Sequence, residues 1–163
     1  MKHTVSVLVE NEFGVLARIA GLFSGRGYNI QSLTVAETLD PAISRMTIVT
    51  EGDDAVMEQV TKQLRKLINV IKVHDVTAEN PINRILALIK VKSDSKKKAN
   101  LAKTIRALKG EVLEEEGSCL VAEFTGDEAS LKKVLEKLKP FGILEFEQTG
   151  SITIERGKKV IGV

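Results

Sequence analysis

The sequence contains no tryptophan, one tyrosine and five phenylalanines. So few rings leave little for bases to stack on, and the predicted central strands carry no aromatic pair, which counts against RNA binding on an open sheet. The single cysteine, Cys119, excludes an internal disulfide. Set in the apolar run CLVAEF, it is expected as a small buried thiol in a reducing compartment. The two histidines, His3 and His74, fall on predicted strands without a cysteine or carboxylate cluster nearby, so no metal site is expected and both are read as solvated surface. The formal net charge is only +2, with lysines and glutamates interspersed, which is no basic stripe for nucleic acid. No window reaches the roughly 20 apolar residues of a membrane span. The start, MKHTVSVLVE, has neither a signal peptide's apolar stretch nor a transit peptide's arginine- and serine-rich character. A cytoplasmic protein that binds neither nucleic acid nor membrane is expected.

What is present is a packed core and a repeated pattern. Hydrophobic residues make up 43% of 163. Valines 5, 7 and 9 alternate with Thr4, Ser6 and Leu8 as a strand does, and Leu16, Ile19, Ala20 and Phe23 then follow helical spacing. Gly25 or Gly27 is expected to end that helix in a left-handed conformation. A strand from Ile30 to Leu39, a turn at Asp40-Pro41, the strand SRMTIVTE, a helix marked by Met57, Val60, Leu64 and Leu67, and the strand VIKVHDV complete β-α-β-β-α-β. Asp53 or Asp54 suits the N-cap of that second helix.

The same order recurs from NRILALIKVK onward, with a hairpin around Gly117, a final strand FGILEFEQTG and a short extra strand in SITIERGKKV. The predicted fold class is α+β: two ferredoxin-like βαββαβ units in tandem, residues 1–78 and 83–163, joined by a linker at 79–82. Each sheet is expected to have helices on one face and an open second face. Thin cores and unpaired edge strands favour association of the first units as a dimer.

The chemistry sits in NEFG, residues 11–14. The helix that follows offers free amides and the positive end of its dipole, and Gly14 lacks the Cβ that would block a ligand. The glycine is either turn punctuation or room for an anion. A carboxylate suits the turn better than a phosphate, since Glu10 and Glu12 flank it without a compensating lysine. Asn29 offers an amide and a carbonyl for a zwitterion, and Val15, Leu16 and Ile30 offer an apolar hole. That set fits a small aliphatic amino acid, while Asn11 and Asn29 fit equally well as simple turn caps. Glycines 21, 25 and 27 close a helix instead of opening one, so they make no nucleotide loop. NEFG has no cation for acylphosphatase chemistry. Lys96–Lys98 reads as a solvated face, and Glu114–Glu116 makes no paired-carboxylate site, since alternate residues on a strand point to opposite faces.

NEFGVLARIAGLFSGRGYNIQSLTVAET followed by DPAISRMTIVTEGDD closely resembles the small regulatory subunit of acetolactate synthase (acetohydroxyacid synthase), with the first unit as its ACT domain. The likeness extends through ALIKV at 87–91 and is loose beyond about residue 92. The resemblance implies a chain with no catalytic residue, cofactor or metal of its own. Its partner is the catalytic large subunit, which uses thiamine diphosphate, magnesium and FAD. The small subunit raises that enzyme's activity and confers feedback inhibition by a branched-chain amino acid, usually valine. The effector lies between two ACT domains of a homodimer: Asn11, Gly14, Val15 and Leu16 match the turn of one protomer, Asn29 and Ile30 the facing strand of the other. Valine, leucine and isoleucine are not separated by these residues. The alternative is a stand-alone ACT-domain amino-acid sensor that regulates another enzyme.

Overall fold

A computed structural model describes residues 1–94 and 98–162. The expectation for Lys96 and Lys97 lies outside the described residues, and Lys98 is the first residue of a helix. The chain divides into two compact units, Met1–Ile82 with Gly150–Val163, and Asn83–Thr149.

The first unit runs β1 (Lys2–Glu10), α1 (Val15–Ser24), β2 (Ile30–Glu37), β3 (Ile43–Glu51), α2 (Asp54–Leu64) and β4 (Val70–Asp75), followed by a 3-10 turn at Thr77–Glu79. The antiparallel sheet has the order β2-β3-β1-β4. Val5, Val7 and Val9 of β1 and Met46 and Ile48 of β3 form its inner face, against Ile19 and Phe23 of α1 and Met57, Val60 and Leu64 of α2. The buried stripe of α1 is Val15, Ile19 and Phe23. Leu16, expected in that stripe, is 42% exposed. Gly27, at φ 73°, supplies the left-handed stop, whereas Gly25 stays right-handed. Asp53 caps α2, its carboxylate accepting from the Val56 amide at 2.8 Å.

The second unit runs β5 (Ile82–Lys92), α3 (Lys98–Ala107), β6 (Glu111–Glu116), β7 (Cys119–Gly126), α4 (Glu128–Leu138), a 3-10 turn Lys139–Phe141 and β8 (Ile143–Gln148). Its sheet has five strands, β6-β7-β5-β8 in order with a short fifth strand near the C-terminus also paired to β5. Alternation on β5 (Ala87, Ile89, Val91) and β7 (Leu120, Ala122, Phe124) faces Leu101 and Ile105 of α3 and Leu131, Val134 and Leu138 of α4. Gly117, at φ 57°, makes the β6–β7 turn. Cys119 is half-buried and pairs with Lys92 on the face away from this core, so it is no buried thiol. The alternate residues of β7 leave it outside the core because Leu120 is the one turned inward.

By contact, residues Gly150–Val163 cluster with the first unit, while their short strand β9 (Ile152–Ile154) pairs with β5. The reason is a set of long-range polar contacts. Arg45 Nε donates to Ser6 Oγ at 3.1 Å and its Nη2 to the Thr153 carbonyl at 2.7 Å. Arg156 Nε donates to the Asn80 carbonyl at 2.8 Å. The second face of the first sheet is therefore not open: Ser6 and Leu8 are buried. Burial lowers the Arg45 pKa from its ordinary value, and the Glu155 carboxylate opposes that shift.

Packing of the second unit has a direct test. A Cβ on Gly110 would lie 2.3 Å from the Phe124 ring, while one on Gly21 in α1 meets nothing within 4 Å. Gly110→Ala is expected to destabilise the chain by about 1–3 kcal/mol in urea unfolding. Gly21→Ala is expected to stabilise it by about 0.5–1 kcal/mol through helix propensity.

Candidate functional site

The β1–α1 turn holds the strongest candidate. Gly14 adopts φ 82°, caps α1 without a side-chain hydrogen bond, and a Cβ added there would meet open space. No acidic side chain occupies the first turn of the helix. The helix dipole and the amides of that turn thus face an uncrowded approach, the arrangement that holds a carboxylate. Val15 packs into the core, so the apolar side chain offered outward is Leu16, beside a fully exposed Phe13.

A residue with no signature in its local sequence organises this turn. Asn69, buried ahead of β4, donates through Nδ2 to Glu10 Oε2 at 2.7 Å and Glu12 Oε2 at 3.1 Å, and its Oδ1 accepts from the Arg18 guanidinium. Its carbonyl also accepts from the Glu10 amide at 2.9 Å. The acidic flank of the turn is thereby engaged, and the same amide brings the Arg18 cation to it. Asn69 lies 59 residues from Glu10. No local pattern joins them.

Asn11 ties the turn to the β2–β3 hairpin. Its Nδ2 donates to the Pro41 carbonyl at 2.9 Å and to Glu37 Oε1 at 3.1 Å, and its amide to the Ala42 carbonyl at 2.7 Å. Asn29 lies elsewhere: its side chain is exposed and its carbonyl accepts from Thr50 Oγ1 at 2.7 Å. Ile30 is half-buried against the first core. The register gives the separation. Glu10 pairs with Ile43 and Ile30 with Thr50, at opposite ends of β3. Seven strand steps amount to roughly 24 Å. Within one chain, Asn11, Gly14, Val15 and Leu16 are together, and Asn29 with Ile30 are not with them.

The histidines differ from expectation. His3 is 3% exposed, on the core face, with Nδ1 3.4 Å from Asp75 and Nε2 3.8 Å from Asp54. His74 pairs with Ser6 on the opposite face, so the two rings are not neighbours. Its Nε2 lies 3.1 Å from Glu79 and its Nδ1 3.0 Å from Glu155, a buried carboxylate of the returning tail. One ligating atom from each of these three residues falls within 4.8 Å of the others. Lys159 stands 3.2 Å from Glu79, and its hydrogen bond holds that carboxyl below its ordinary range. With Lys159 and Arg45 already facing the carboxylates, the cluster acts as an ion-pair clasp on the tail.

Two α+β units with antiparallel sheets, the first carrying a glycine-capped helix after its opening strand, have the ferredoxin-like architecture that ACT domains use. Residues 5–72 match the family model of the AHAS small subunit-like ACT domain, and residues 84–157 that of the small subunit of acetolactate synthase. The chain belongs to the acetolactate synthase small-subunit family. A probable acetolactate synthase small subunit of Archaeoglobus fulgidus is 45% identical, across 98% of this chain and 99% of that protein. The small subunit of Mycolicibacterium smegmatis is 44% identical, across 98% and 94%. The crystal structure of the acetolactate synthase small subunit from Thermotoga maritima is 34% identical and superposes with a TM-score of 0.89, covering 98% of this chain and 99% of that one. Among the described residues no helix is long and apolar enough to cross a membrane.

The clasp is testable without any ligand. Glu155→Ala removes the carboxylate that faces both His74 and Arg45. Trypsin cleavage at Arg156 is expected to accelerate several-fold, while cleavage sites in the second unit keep their wild-type rate. Equal rates at Arg156 would show that the tail is held by other contacts.

Proposed function

We propose that this chain is the non-catalytic regulatory subunit of an acetolactate synthase. It binds the catalytic large subunit in the cytoplasm, raises its activity and makes it sensitive to a branched-chain amino acid, with valine the first choice. Thiamine diphosphate, magnesium and FAD belong in this reading to the large subunit. The family membership of both units supports the role, and one geometric observation carries the effector site: Asn11 is hydrogen-bonded to Glu37, at the far end of β2 from Asn29.

β2 is an edge strand. Antiparallel pairing of β2 with that of a second copy, about a two-fold axis, sets the start of one strand beside the end of the other. The start carries Asn29 and Ile30, and the end carries the Asn11–Gly14 turn. One symmetry operation therefore completes two sites, each using both copies. Leu16 and Val35, both partly exposed, give that seam its apolar component. The α1 amides receive the effector carboxylate, Asn29 receives the ammonium group, and Leu16 and Ile30 flank the branched side chain. A ligand shared by two copies stabilises their pairing by its differential affinity, and it inhibits a distant subunit only where two states of the assembly bind it unequally.

Reconstitution tests the role. The purified chain is expected to form no acetolactate alone and to raise the turnover of its cognate large subunit; no effect on turnover would remove the assignment. Two substitutions test the site. Gly14→Asp sets a carboxylate where the effector's own belongs, so valine inhibition is expected to vanish with activation kept. Asn29→Ala is expected to weaken valine binding by about 1–3 kcal/mol in calorimetry, the cost of stranding a polar ligand group. Wild-type inhibition and affinity in both variants would refute the site.

A further inference from the structure

The β1–α1 turn presents a problem of charge. The effector reading sets a carboxylate on the first amides of α1, yet two carboxylates of the chain itself, on Glu10 and Glu12, stand beside that turn. Glu12 is the nearer rival. It is exposed, it precedes the Gly14 cap by two residues, and its carbonyl accepts from the Val15 amide at 3.4 Å, so the turn folds it back over the start of the helix. A glutamate so placed is drawn to the positive end of α1 by the same dipole that draws a ligand. No acidic side chain lies in the first turn to occupy those amides, and Gly14 has open space where a Cβ would be. Left to itself, Glu12 would take the place of the effector's acid group.

The structure holds it elsewhere. Asn69 Nδ2 donates to Glu12 Oε2 at 3.1 Å and to Glu10 Oε2 at 2.7 Å, which engages both hydrogens of the amide. Its Oδ1 accepts from the guanidinium of Arg18, whose own backbone amide donates to the Gly14 carbonyl one helical turn back. A primary amide suits this post because it offers two donors to the acids and an acceptor to the cation on one planar group. A carboxylate there would have no donor for Glu12, and an alanine would have neither donor nor acceptor. Asn69 is only 7% exposed, and its carbonyl accepts from the Glu10 amide at 2.9 Å, directly after the last pair of the β1–β4 ladder, Val9 with Val70. The anchor is therefore built into the sheet, while the acid it restrains lies on the surface. Among the described residues, Asn69 is the one side chain bonded to the Glu12 carboxylate.

Resting on the effector reading, we propose that Asn69 is the positioning residue of this site: it holds the Glu12 carboxylate off the α1 amides and so keeps them free for the carboxylate of the effector. With the tether cut, Glu12 becomes an internal competitor, and apparent affinity falls with the fraction of chains whose amides stay open. The Gly14→Asp variant installs such a competitor by substitution. Asn69 restrains one that the sequence already carries.

The test is calorimetric titration of the full chain with valine. Asn69→Ala is expected to bind valine about three- to sixfold more weakly, the effect of a carboxylate competing at a helix end. Glu12→Gln alone is expected to bind within about twofold of wild type, and Asn69→Ala/Glu12→Gln likewise, because a neutral amide does not compete. A residue that only kept the fold in shape would leave the double variant as weak as Asn69→Ala, since Glu12→Gln restores none of the hydrogen bonds that Asn69 made. Asn69→Ser, too short to reach both acids, carries the same expectations and replaces Asn69→Ala where that variant does not fold. In a crystal structure of the wild-type chain with valine, Glu12 is expected on Asn69; Glu12 on the α1 amides would overturn the role. Wild-type affinity in Asn69→Ala, or a double variant no tighter than Asn69→Ala, likewise overturns it and leaves the effector site standing. No valine binding by the wild-type chain overturns the valine site itself, and the role of Asn69 falls with it.

Discussion

The ladder between β1 and β3, from Lys2 opposite Glu51 to Glu10 opposite Ile43, sets the geometry of the first unit. It fixes which end of the sheet each connection leaves from. The β1–α1 turn emerges where β3 begins, and the α1–β2 connection arrives where β3 ends. A one-residue slip would turn Val5, Val7 and Val9 to the other face, so the buried valines defend this register strongly. The separation of Gly14 from Asn29 is consequently a property of the core, and any ligand that needs both residues is forced to recruit a second copy.

The two units dress one topology differently. In the first, both faces of the sheet are occupied: valines and helices on one, and Arg45 reaching Ser6 and Thr153 on the other. Its edge strands are β2 and β4, and Gly150 packs closely against the middle of β2 at Leu33 and Thr34. In the second, the helix face is packed as tightly, yet Leu88 and the surrounding glutamates stay in water. An edge is suited to a symmetrical partner that brings an identical edge. Side chains on the faces, not the order of elements, separate the two units.

Local chemistry made most of the fold readable from residues alone. Alternating valines, the 3-4 spacing of Met57, Val60 and Leu64, and the aspartate ahead of α2 each act within a few positions. Gly14 was legible for the same reason, because a left-handed turn before a helix selects glycine locally. What escaped depends on contacts between distant segments. Arg45 meets Thr153 across 108 positions, and Asn69 meets Glu10 across 59. No periodicity records such pairs. The burial of His3 and the exposure of Leu16 escaped for a related cause, since each sits at the margin of a face whose width only the neighbouring elements decide.

The return of residues 150–162 to the first unit makes the second one an insertion, bracketed on both sides by pieces of its predecessor. A ribosome delivers those pieces in order. The first sheet is therefore synthesised before the residues that Arg45 and His74 meet at Thr153 and Glu155, and those two contacts can close only after the second unit has emerged. Cutting such a chain at the seam between its units would yield an N-terminal fragment that never receives its last piece, which makes separate expression of the two halves a poor guide to either.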